Sequence, residues 1–288
     1  MKIIGIETSS IQGGVAVLET QKCARDKSNH RMQVSSRYPV PEADPPSADK
    51  RLIASESIIL LKQLLLKQGL LHGKLLIPAL EKLLAKARWQ PEDIELVAVD
   101  VGPGSYTGLR VGLAIAKTIA HIIKSKIAGV SSLDVLVANI QDDYGYVCPV
   151  IDARWNQVYT AIYERRKKTK DERKKNGEEY EYKRISDYLA ISPEDLIKLL
   201  KRYTGKADEK LLLFGDGLKS YEKLFDKSNK NRKVVFGSAD LWVPEAGNVA
   251  LLGYESFKHG RHDDPIKLVP LYLRLTEAEV NLKRKKTL

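Results

Sequence analysis

The sequence contains little cysteine and no long apolar run, and each shortage excludes a class of protein. Its two cysteines, Cys23 and Cys148, lie too far apart to form a CxxC metal site or a disulfide framework. The longest apolar stretches, such as residues 58–61, end well short of the roughly 20 residues that a membrane span needs. The N-terminus also lacks the apolar segment of a secretory signal. We therefore expect a cytoplasmic protein that enters no membrane.

The chain has a surplus of positive charge. Its 288 residues include 48 lysines and arginines against 37 aspartates and glutamates, a formal net charge of +11. Hydrophobic residues make up 43% and charged residues 30%, proportions that exclude a disordered or collagen-like chain. The length predicts more than one domain. The basic surplus favours a polyanionic partner such as RNA or an acidic protein.

Strand and helix patterns alternate along the sequence, which indicates the α/β class. Strands are predicted at residues 2–7, 14–19, 94–101, 127–130, 146–152, 157–163 and 211–214. Helices are predicted at residues 49–67, 74–88, 107–124 and 248–258, and two more begin near Ser131-Ser132 and Ser192-Pro193.

Two segments interrupt this alternation. Residues 20–50 mix charges with four prolines, which cannot donate to a strand ladder. Residues 164–184 carry ten basic and six acidic side chains with almost no aliphatic residues. We interpret both as exposed insertions, the second as a loop or an extended hairpin.

A glycine-rich turn, GPGSYTG at residues 102–108, lies between a predicted strand and a predicted helix, where exposed amides attract anions. A P-loop is excluded because Leu109 and Arg110 follow Gly108. The dinucleotide fingerprint is excluded as well, because its third glycine would stand at Thr107. The turn therefore matches neither common nucleotide motif.

The helix after this turn has small residues at every fourth position, Gly108, Gly112, Ala116 and Ala120. This spacing places them on one narrow face, which another element can approach closely. Both packing inside the chain and contact with a partner helix are compatible with this stripe.

Six motifs, in order, carry a resemblance to a known family. They are IGIETSS with GGVAVLE near the N-terminus, KLLIPALEKLL after His72, GPGSYTGLRVGLAIAKTIA with AGVSSLDVLVA, IDARWNQVYTAIY at 151–163, LLFGDG at 212–217 and PLYLR at 270–274. Nearly all of the chain outside residues 20–70 and 164–184 takes part. The sequence resembles the TsaB (YeaZ-like) family, the non-catalytic partner of TsaD in tRNA threonylcarbamoyladenosine synthesis.

The resemblance implies the actin-like ATPase (ribonuclease H-like) fold, an α/β architecture of two duplicated lobes. We expect an N-terminal lobe at residues 1–128, with its insertion at about 20–70. The C-terminal lobe would cover residues 129–288, with the charged insertion at about 164–184. The terminal segment is expected to pack back on the first lobe.

The resemblance also implies an accessory subunit rather than an enzyme. TsaD would transfer the threonylcarbamoyl group to the adenosine next to the anticodon, and TsaE would complete the set as a separate ATPase subunit. The complex would bind tRNA and use ATP, while this chain alone would bind no cofactor. The basic runs at 164–184 and 283–286 would assist tRNA docking. The TsaD interface, or a homodimer through the same helix, is expected at Gly108, Arg110, Gly112, Ala116 and Ala120.

A vestigial nucleotide site is implied at two turns. Its residues would be Glu7, Thr8 and Ser9 in the first turn, and Asp152 with Gly215, Asp216 and Gly217 in the second. Asp216 places a carboxylate where TsaD has glycine, so an anionic ligand would be repelled. Polar turn residues without a ligand are the simpler interpretation.

No metal site is expected in this chain. TsaD-like proteins hold a metal with two histidines one helical turn apart. Aligned by Gly129 and Val130, this sequence has Ser132 and Leu136 at the two positions, and leucine cannot bind a metal. 

Two other classes of protein stay open. One is an actin-fold ATP-dependent kinase or carbamoyl transferase with its own inter-lobe active site, and the other is a tRNA-binding protein that acts without TsaD. A peptidase is disfavoured, because Ser105 has neither a GxSxG elbow nor an HExxH pair to support it. Ser105 fits better as the residue that opens the helix.

Overall fold

The computed structural model describes residues 1–22, 52–53, 56–66, 72–167, 180–204 and 210–274. The strands are β1 (Lys2–Glu7), β2 (Gly14–Lys22), β3 (Leu52–Ile53), β4 (Glu56–Leu65), β5 (Leu96–Gly102), β6 (Lys126–Ser131), β7 (Tyr146–Arg154), β8 (Gln157–Thr160), β9 (Tyr163–Lys167), β10 (Tyr180–Arg184), β11 (Leu189–Ile191), β12 (Leu211–Phe214) and β13 (Val234–Phe236). The helices are α1 (His72–Ala87), α2 (Tyr106–Ile122), α3 (Ser132–Val137), α4 (Pro193–Thr204), α5 (Leu218–Ser228) and α6 (Ala246–Lys258). The predicted α/β class is confirmed.

The first sheet has the strand order β3-β4-β2-β1-β5-β6. Strands β1, β5 and β6 are parallel, and α2 is the crossover connection between β5 and β6. Strand β2 pairs antiparallel with both β1 and β4. Alternate side chains of β1 reach opposite faces: Ile4 and Ile6 pack under α1 and α2, and Ile3 packs under α6. Strand β6 of this sheet extends to Ser131, so the lobe boundary predicted after residue 128 lies inside that strand.

The second sheet has the order β10-β9-β7-β12-β13. Strands β7, β12 and β13 are parallel, and β7 also pairs antiparallel with β8 and β9. Helices α4 and α5 cover one face through Leu196, Leu200, Leu218 and Phe225. Each sheet thus has three parallel strands on one side of an antiparallel arm.

Helix α6 follows the second sheet in sequence but packs on the first one. Gly5 makes this possible, because a Cβ there would overlap the carbonyl oxygen of Ala246 and lie 2.9 Å from the backbone nitrogen of Ala250. The close approach lets α6 bury Val249, Ala250 and Tyr254. Among the described residues, no helix has both the length and the apolar character that crossing a bilayer requires.

The helix predicted at residues 49–67 is wrong, because this segment contains strands β3 and β4. Strand β4 pairs with β2 from Gly14↔Leu65 to Lys22↔Glu56, so residues 56–65 form part of the first sheet. Short apolar runs are compatible with a buried helix or a buried strand. Here the segment forms a strand because its backbone pairs with the otherwise unpaired edge of β2. The insertion predicted at 20–70 therefore includes part of the sheet.

The predicted hairpin at 164–184 is present as β9 and β10, which pair antiparallel. Residues 168–179 within it, and most of the proline-containing segment 20–50, lie outside the described residues. The basic tail at 283–286 lies outside them too.

Candidate functional site

Two fully buried carboxylates, Glu7 and Asp100, lie at the ends of the parallel strands β1 and β5. Glu7 Oε1 accepts hydrogen bonds from Ser9 N (2.6 Å), Ser9 Oγ (2.6 Å) and Ser10 N (3.0 Å), and Oε2 accepts one from Ser10 Oγ (3.0 Å). The turn at residues 7–10 is therefore closed on its own carboxylate. Burial raises the pKa of Glu7, and these hydrogen bonds oppose the rise.

Asp100 is the less satisfied member of the pair. Its Oδ1 accepts from Gly102 N (2.7 Å) and Ser132 Oγ (2.6 Å), while Oδ2 has no partner among the described residues. Burial first, and the charge of Glu7 second, raise the pKa of Asp100 to about 7. Asp100 therefore holds its proton more tightly than an exposed aspartate does.

The small-residue stripe of α2 faces the chain's own interior. A Cβ at Gly108 would overlap the carbonyl oxygen of Thr8, and a Cβ at Gly112 would overlap the Thr8 hydroxyl. Ala116 and Ala120 are buried in the first core. Packing inside the chain thus accounts for all four small residues predicted at the partner interface.

Arg110, the fifth of those residues, lies on the exposed face of α2. Its Nε donates to the Tyr272 hydroxyl (2.9 Å), and its guanidinium lies 4.1 Å from the centre of the Tyr106 ring. The rings of Tyr106 and Tyr272 are 5.5 Å apart. These three residues form an exposed aromatic–arginine cluster that joins α2 to the segment around Tyr272.

The segment 263–274 runs along α2 and fixes this cluster. Lys117 of α2 donates to the carbonyl oxygens of Ile266 (3.2 Å) and Leu268 (3.0 Å), and Leu271 N donates to Val101 O (2.7 Å). Ile266 and Val269 are 83% and 64% exposed. The segment therefore adds apolar surface beside the outer face of α2.

The second predicted turn lies at the ends of β7 and β12. Asp152 N donates to Asp216 Oδ1 (3.1 Å), and Arg154 makes an ion pair with Asp152 (3.6 Å). Gly215 has φ +119°, and its neighbour Gly217 donates to Val150 O (3.0 Å). Burial raises the pKa of Asp216, against the hydrogen bond from Asp152. The seven predicted nucleotide-turn residues thus fall into two groups, one at each sheet.

The two positions aligned with metal ligands serve other purposes here. Ser132 donates its hydroxyl to Asp100, and Leu136 is fully buried in an apolar cluster. Ser105, the residue considered for peptidase chemistry, accepts a hydrogen bond from Gly108 N (3.2 Å) and caps α2. These three side chains are explained by local structure.

Sequence reasoning missed Asp100 and Tyr272. Asp100 lies inside the apolar run LVAVDVG. A single carboxylate in a buried strand is costly and therefore indicates a functional or paired residue, which is the signal that could have identified it. Tyr272 lies in the PLYLR motif, but nothing in sequence spacing links it to Arg110, 162 residues away.

The chain is similar to several known proteins. The sequence model of TsaD, tRNA N6-adenosine threonylcarbamoyltransferase, matches residues 68–282. The tRNA threonylcarbamoyladenosine biosynthesis protein TsaB of Bacillus subtilis (strain 168) is 32% identical, over 72% of this chain and 82% of that protein. TsaB of Escherichia coli (strain K12) is 26% identical, over 70% and 80%. YeaZ from Pseudomonas aeruginosa superposes with a TM-score of 0.63 at 18% identity, over 94% of this chain and 99% of that one.

These likenesses and the two-sheet fold define a TsaD-type α/β protein. More particularly, the chain belongs to the TsaB family.

Proposed function

We propose that this chain is the non-catalytic, activating subunit of a TsaD-containing complex that makes threonylcarbamoyladenosine in tRNA. Membership of the TsaB family supports the pathway. The observation that carries the accessory role is the closed turn at residues 7–10, where Glu7 accepts four hydrogen bonds from Ser9 and Ser10. A carboxylate engaged in this way is poorly placed to serve a bound nucleotide. TsaD performs the transfer in the cytoplasm, with TsaE and ATP acting in the complex.

The same proposal includes an actin-like ATPase fold of two duplicated lobes. Two features support it. Each sheet has three parallel strands beside an antiparallel arm, and each has a carboxylate at the end of its first strand, Glu7 in one and Asp152 in the other. The duplication accounts for both turns as remnants of one ancestral arrangement.

TsaD binds, in this proposal, to the outer face of α2 and the adjoining segment 263–274. Arginine and tyrosine dominate the energetics of protein interfaces, and Arg110, Tyr106 and Tyr272 are already held together here. The exposed Ile266 and Val269 add the apolar area that a stable interface requires. A homodimer through this face is the alternative when TsaD is absent.

Reconstitution tests the function. TsaD, TsaE, ATP, unmodified tRNA and the enzyme that supplies threonylcarbamoyl-adenylate are incubated with and without this chain, and threonylcarbamoyladenosine in digested tRNA is measured. We expect product to rise strongly on addition of the chain, and the chain alone to form none. ATP turnover by the isolated chain would instead support the rival actin-fold kinase or carbamoyl transferase.

A charge reversal tests the interface. We expect Arg110→Glu to weaken TsaD binding at least about tenfold, because it breaks the aromatic–arginine cluster at the centre of the contact. Lys223→Glu, an equal charge change on α5 of the second sheet, is the matched control and should leave affinity within about twofold. Calorimetric titration with TsaD measures both, and an unchanged affinity for Arg110→Glu would place the interface elsewhere.

A further inference from the structure

An open groove of about 480 Å³ lies where α2 ends and β6 begins. The chain returns to it after α6, where Asp263 N donates to Ile127 O (2.8 Å). The structure describes residues 72–167 and 210–274 without a break, so the neighbours of these residues along the chain are all described. The basic side chains that line the groove are Lys124, Lys126, His121 and His262. We name this surface the α2–β6 groove.

The two lysines of the α2–β6 groove are exposed and have no partner. Among the described residues, neither Lys124 nor Lys126 takes part in an ion pair or donates a side-chain hydrogen bond. Each therefore keeps an ammonium group with three N–H donors for an anion.

The two carboxylates of the groove, by contrast, are held by donors of the chain itself. Asp263 Oδ2 accepts a hydrogen bond from Gly129 N (2.7 Å). Asp264 Oδ1 accepts one from Ile266 N (2.8 Å), and its Oδ2 lies 4.0 Å from Lys267 Nζ. The unused hydrogen-bonding capacity of the groove therefore belongs to its lysines.

Lys124 occupies a backbone position that usually belongs to glycine. It follows α2 with φ +56°, and Ser125 N donates to Ala120 O (3.1 Å), the closing bond of a Schellman motif. Glycine adopts this left-handed conformation without the strain that a Cβ causes. The backbone at residue 124 therefore favours glycine, and the presence of lysine needs a reason in its side chain.

We propose that the α2–β6 groove binds the phosphate backbone of RNA, with Lys124 and Lys126 on neighbouring phosphates and the imidazoles of His121 and His262 as further donors. An open, polar groove leaves its ligand hydrated, as backbone phosphates are, whereas sites for small molecules are mostly apolar and enclose their ligand. The net charge of +11 favours the same class of partner. Only the identity of the RNA as tRNA rests on the proposed function.

Fluorescence anisotropy with a labelled unmodified tRNA transcript tests the two lysines. We expect the full chain carrying Lys124→Gln and Lys126→Gln to bind about fivefold more weakly at low salt, with a slope of log affinity against log salt smaller by about 1.5. Lys223→Gln with Lys227→Gln removes two exposed lysines from α5 and is the matched control, with an expected loss below about twofold. Equal losses in the two double variants would overturn the proposal, since net charge alone would then explain binding.

A glycine substitution separates RNA binding from a purely structural role of Lys124. We expect Lys124→Gly to weaken tRNA binding about threefold and to leave the urea midpoint unchanged or higher, because glycine suits this backbone. A lysine that only complements the negative end of the α2 dipole predicts the reverse, a lower midpoint with wild-type affinity, and that result would overturn the proposal.

Arg232→Gly is the matched control for the glycine substitution. Arg232 is exposed, carries the same charge and has φ +51°, but it lies between α5 and β13 of the second sheet. Its variant should keep wild-type affinity for tRNA. An equal loss in Lys124→Gly and Arg232→Gly would overturn the assignment of binding to the groove. Circular dichroism checks that each variant is folded.

Competition tests the class of ligand. We expect a short RNA oligonucleotide to displace the labelled tRNA from the wild-type chain more effectively than a polyglutamate peptide of equal charge. The advantage of RNA should shrink in the Lys124→Gln and Lys126→Gln double variant. Preferential binding of the peptide by the wild-type chain would overturn the choice of RNA.

The outcome is separable from that of the reconstitution. Arg110, at the proposed TsaD contact, lies about 20 Å along the helix from Lys124, so the two partners bind at different ends of α2. A chain that binds tRNA through the α2–β6 groove but fails to raise threonylcarbamoyladenosine with TsaD would overturn the proposed function and leave the groove standing. A chain that activates TsaD while its lysine variants bind tRNA normally would overturn the groove alone.

Discussion

Asp100 shows how a single residue can tie stability to pH. It is fully buried beside Glu7, and its Oδ1 accepts hydrogen bonds from Gly102 and Ser132. A carboxylate removed from water near a second carboxylate favours its protonated form. The folded protein therefore holds a proton on this residue at pH values where the unfolded chain has released it.

We expect stability to fall as pH rises from about 4 to about 7, because the pKa of Asp100 is raised from 3.8 to about 7 on folding. The stabilisation that comes from protonated Asp100 is fully present below the pKa of the unfolded chain and is lost as the pH rises through the pKa of the folded protein. Asp100→Asn keeps the Oδ1 acceptor but not the charge, so its loss of unfolding free energy between pH 5 and 7.5 should be smaller by on the order of 2 kcal/mol. Urea unfolding at several pH values measures this.

Asp93→Asn is the matched control for the pH experiment. The pKa of Asp93 is lowered, chiefly by a hydrogen bond from the Gln90 backbone, so the residue is ionised throughout that window. Its variant should keep the wild-type slope. An Asp100→Asn slope equal to that of wild type would show that another group carries the proton.

At the scale of elements, the position of α2 depends on the absence of side chains at two glycines on its inner face. Gly108 and Gly112 let the helix backbone lie against Thr8, and Ser105 N donates to Ser9 O (2.7 Å). The helix thereby packs directly on the turn that follows β1. The four-residue spacing of small residues on α2 was visible in the sequence. That spacing is the same whether the helix packs inside its own chain or against a partner, so it could not distinguish the two.

Gly112→Ala should lower the free energy of unfolding by about 1–3 kcal/mol, because the new Cβ overlaps the Thr8 hydroxyl in a packed interior. Gly73→Ala in α1 is the matched control. There a Cβ would lie 3.6 Å from Val111 Cγ1, an ordinary contact, and alanine favours the helix by up to about 1 kcal/mol. Urea unfolding compares the two variants. A stable Gly112→Ala protein would mean that α2 stands farther from Thr8.

Strands and helices with clear local signals were predictable, and elements decided by distant partners were not. Leu211–Phe214 forms a strand where its four apolar residues predicted one, and α4 begins at Pro193, next to the predicted Ser192-Pro193 signal. Strand β4 was predicted as a helix, because its partner β2 is some 40 residues away and leaves no trace in local spacing. Similarly, Arg110 was predicted at an interface, but its cluster with Tyr272 depends on the fold.

At the scale of the whole molecule, segment 263–274 connects the two sheets. Asp263 N donates to Ile127 O (2.8 Å) in β6 of the first sheet, and Leu271 N donates to Val101 O in β5. At its end, Arg274 Nη1 donates to Ala153 O (2.7 Å) in β7 of the second sheet. One stretch of irregular chain thus holds the outer face of α2, the first sheet and the second sheet in a fixed relation.

Arg274→Ala should therefore lower the free energy of unfolding by about 1 kcal/mol, because it removes a charged hydrogen bond to a β7 carbonyl that is partly exposed. Arg261→Ala, an equal truncation at an exposed position just before the same segment, is the matched control and should stay within about 0.5 kcal/mol of wild type.

Urea unfolding followed by tryptophan fluorescence reports on both sheets, since Trp89 packs in the first core and Trp242 beside the second. Arg274→Ala should shift the two sheets' transitions apart if the segment couples them. Equal losses for the two arginines would show that the segment is held by its contacts to the first sheet alone.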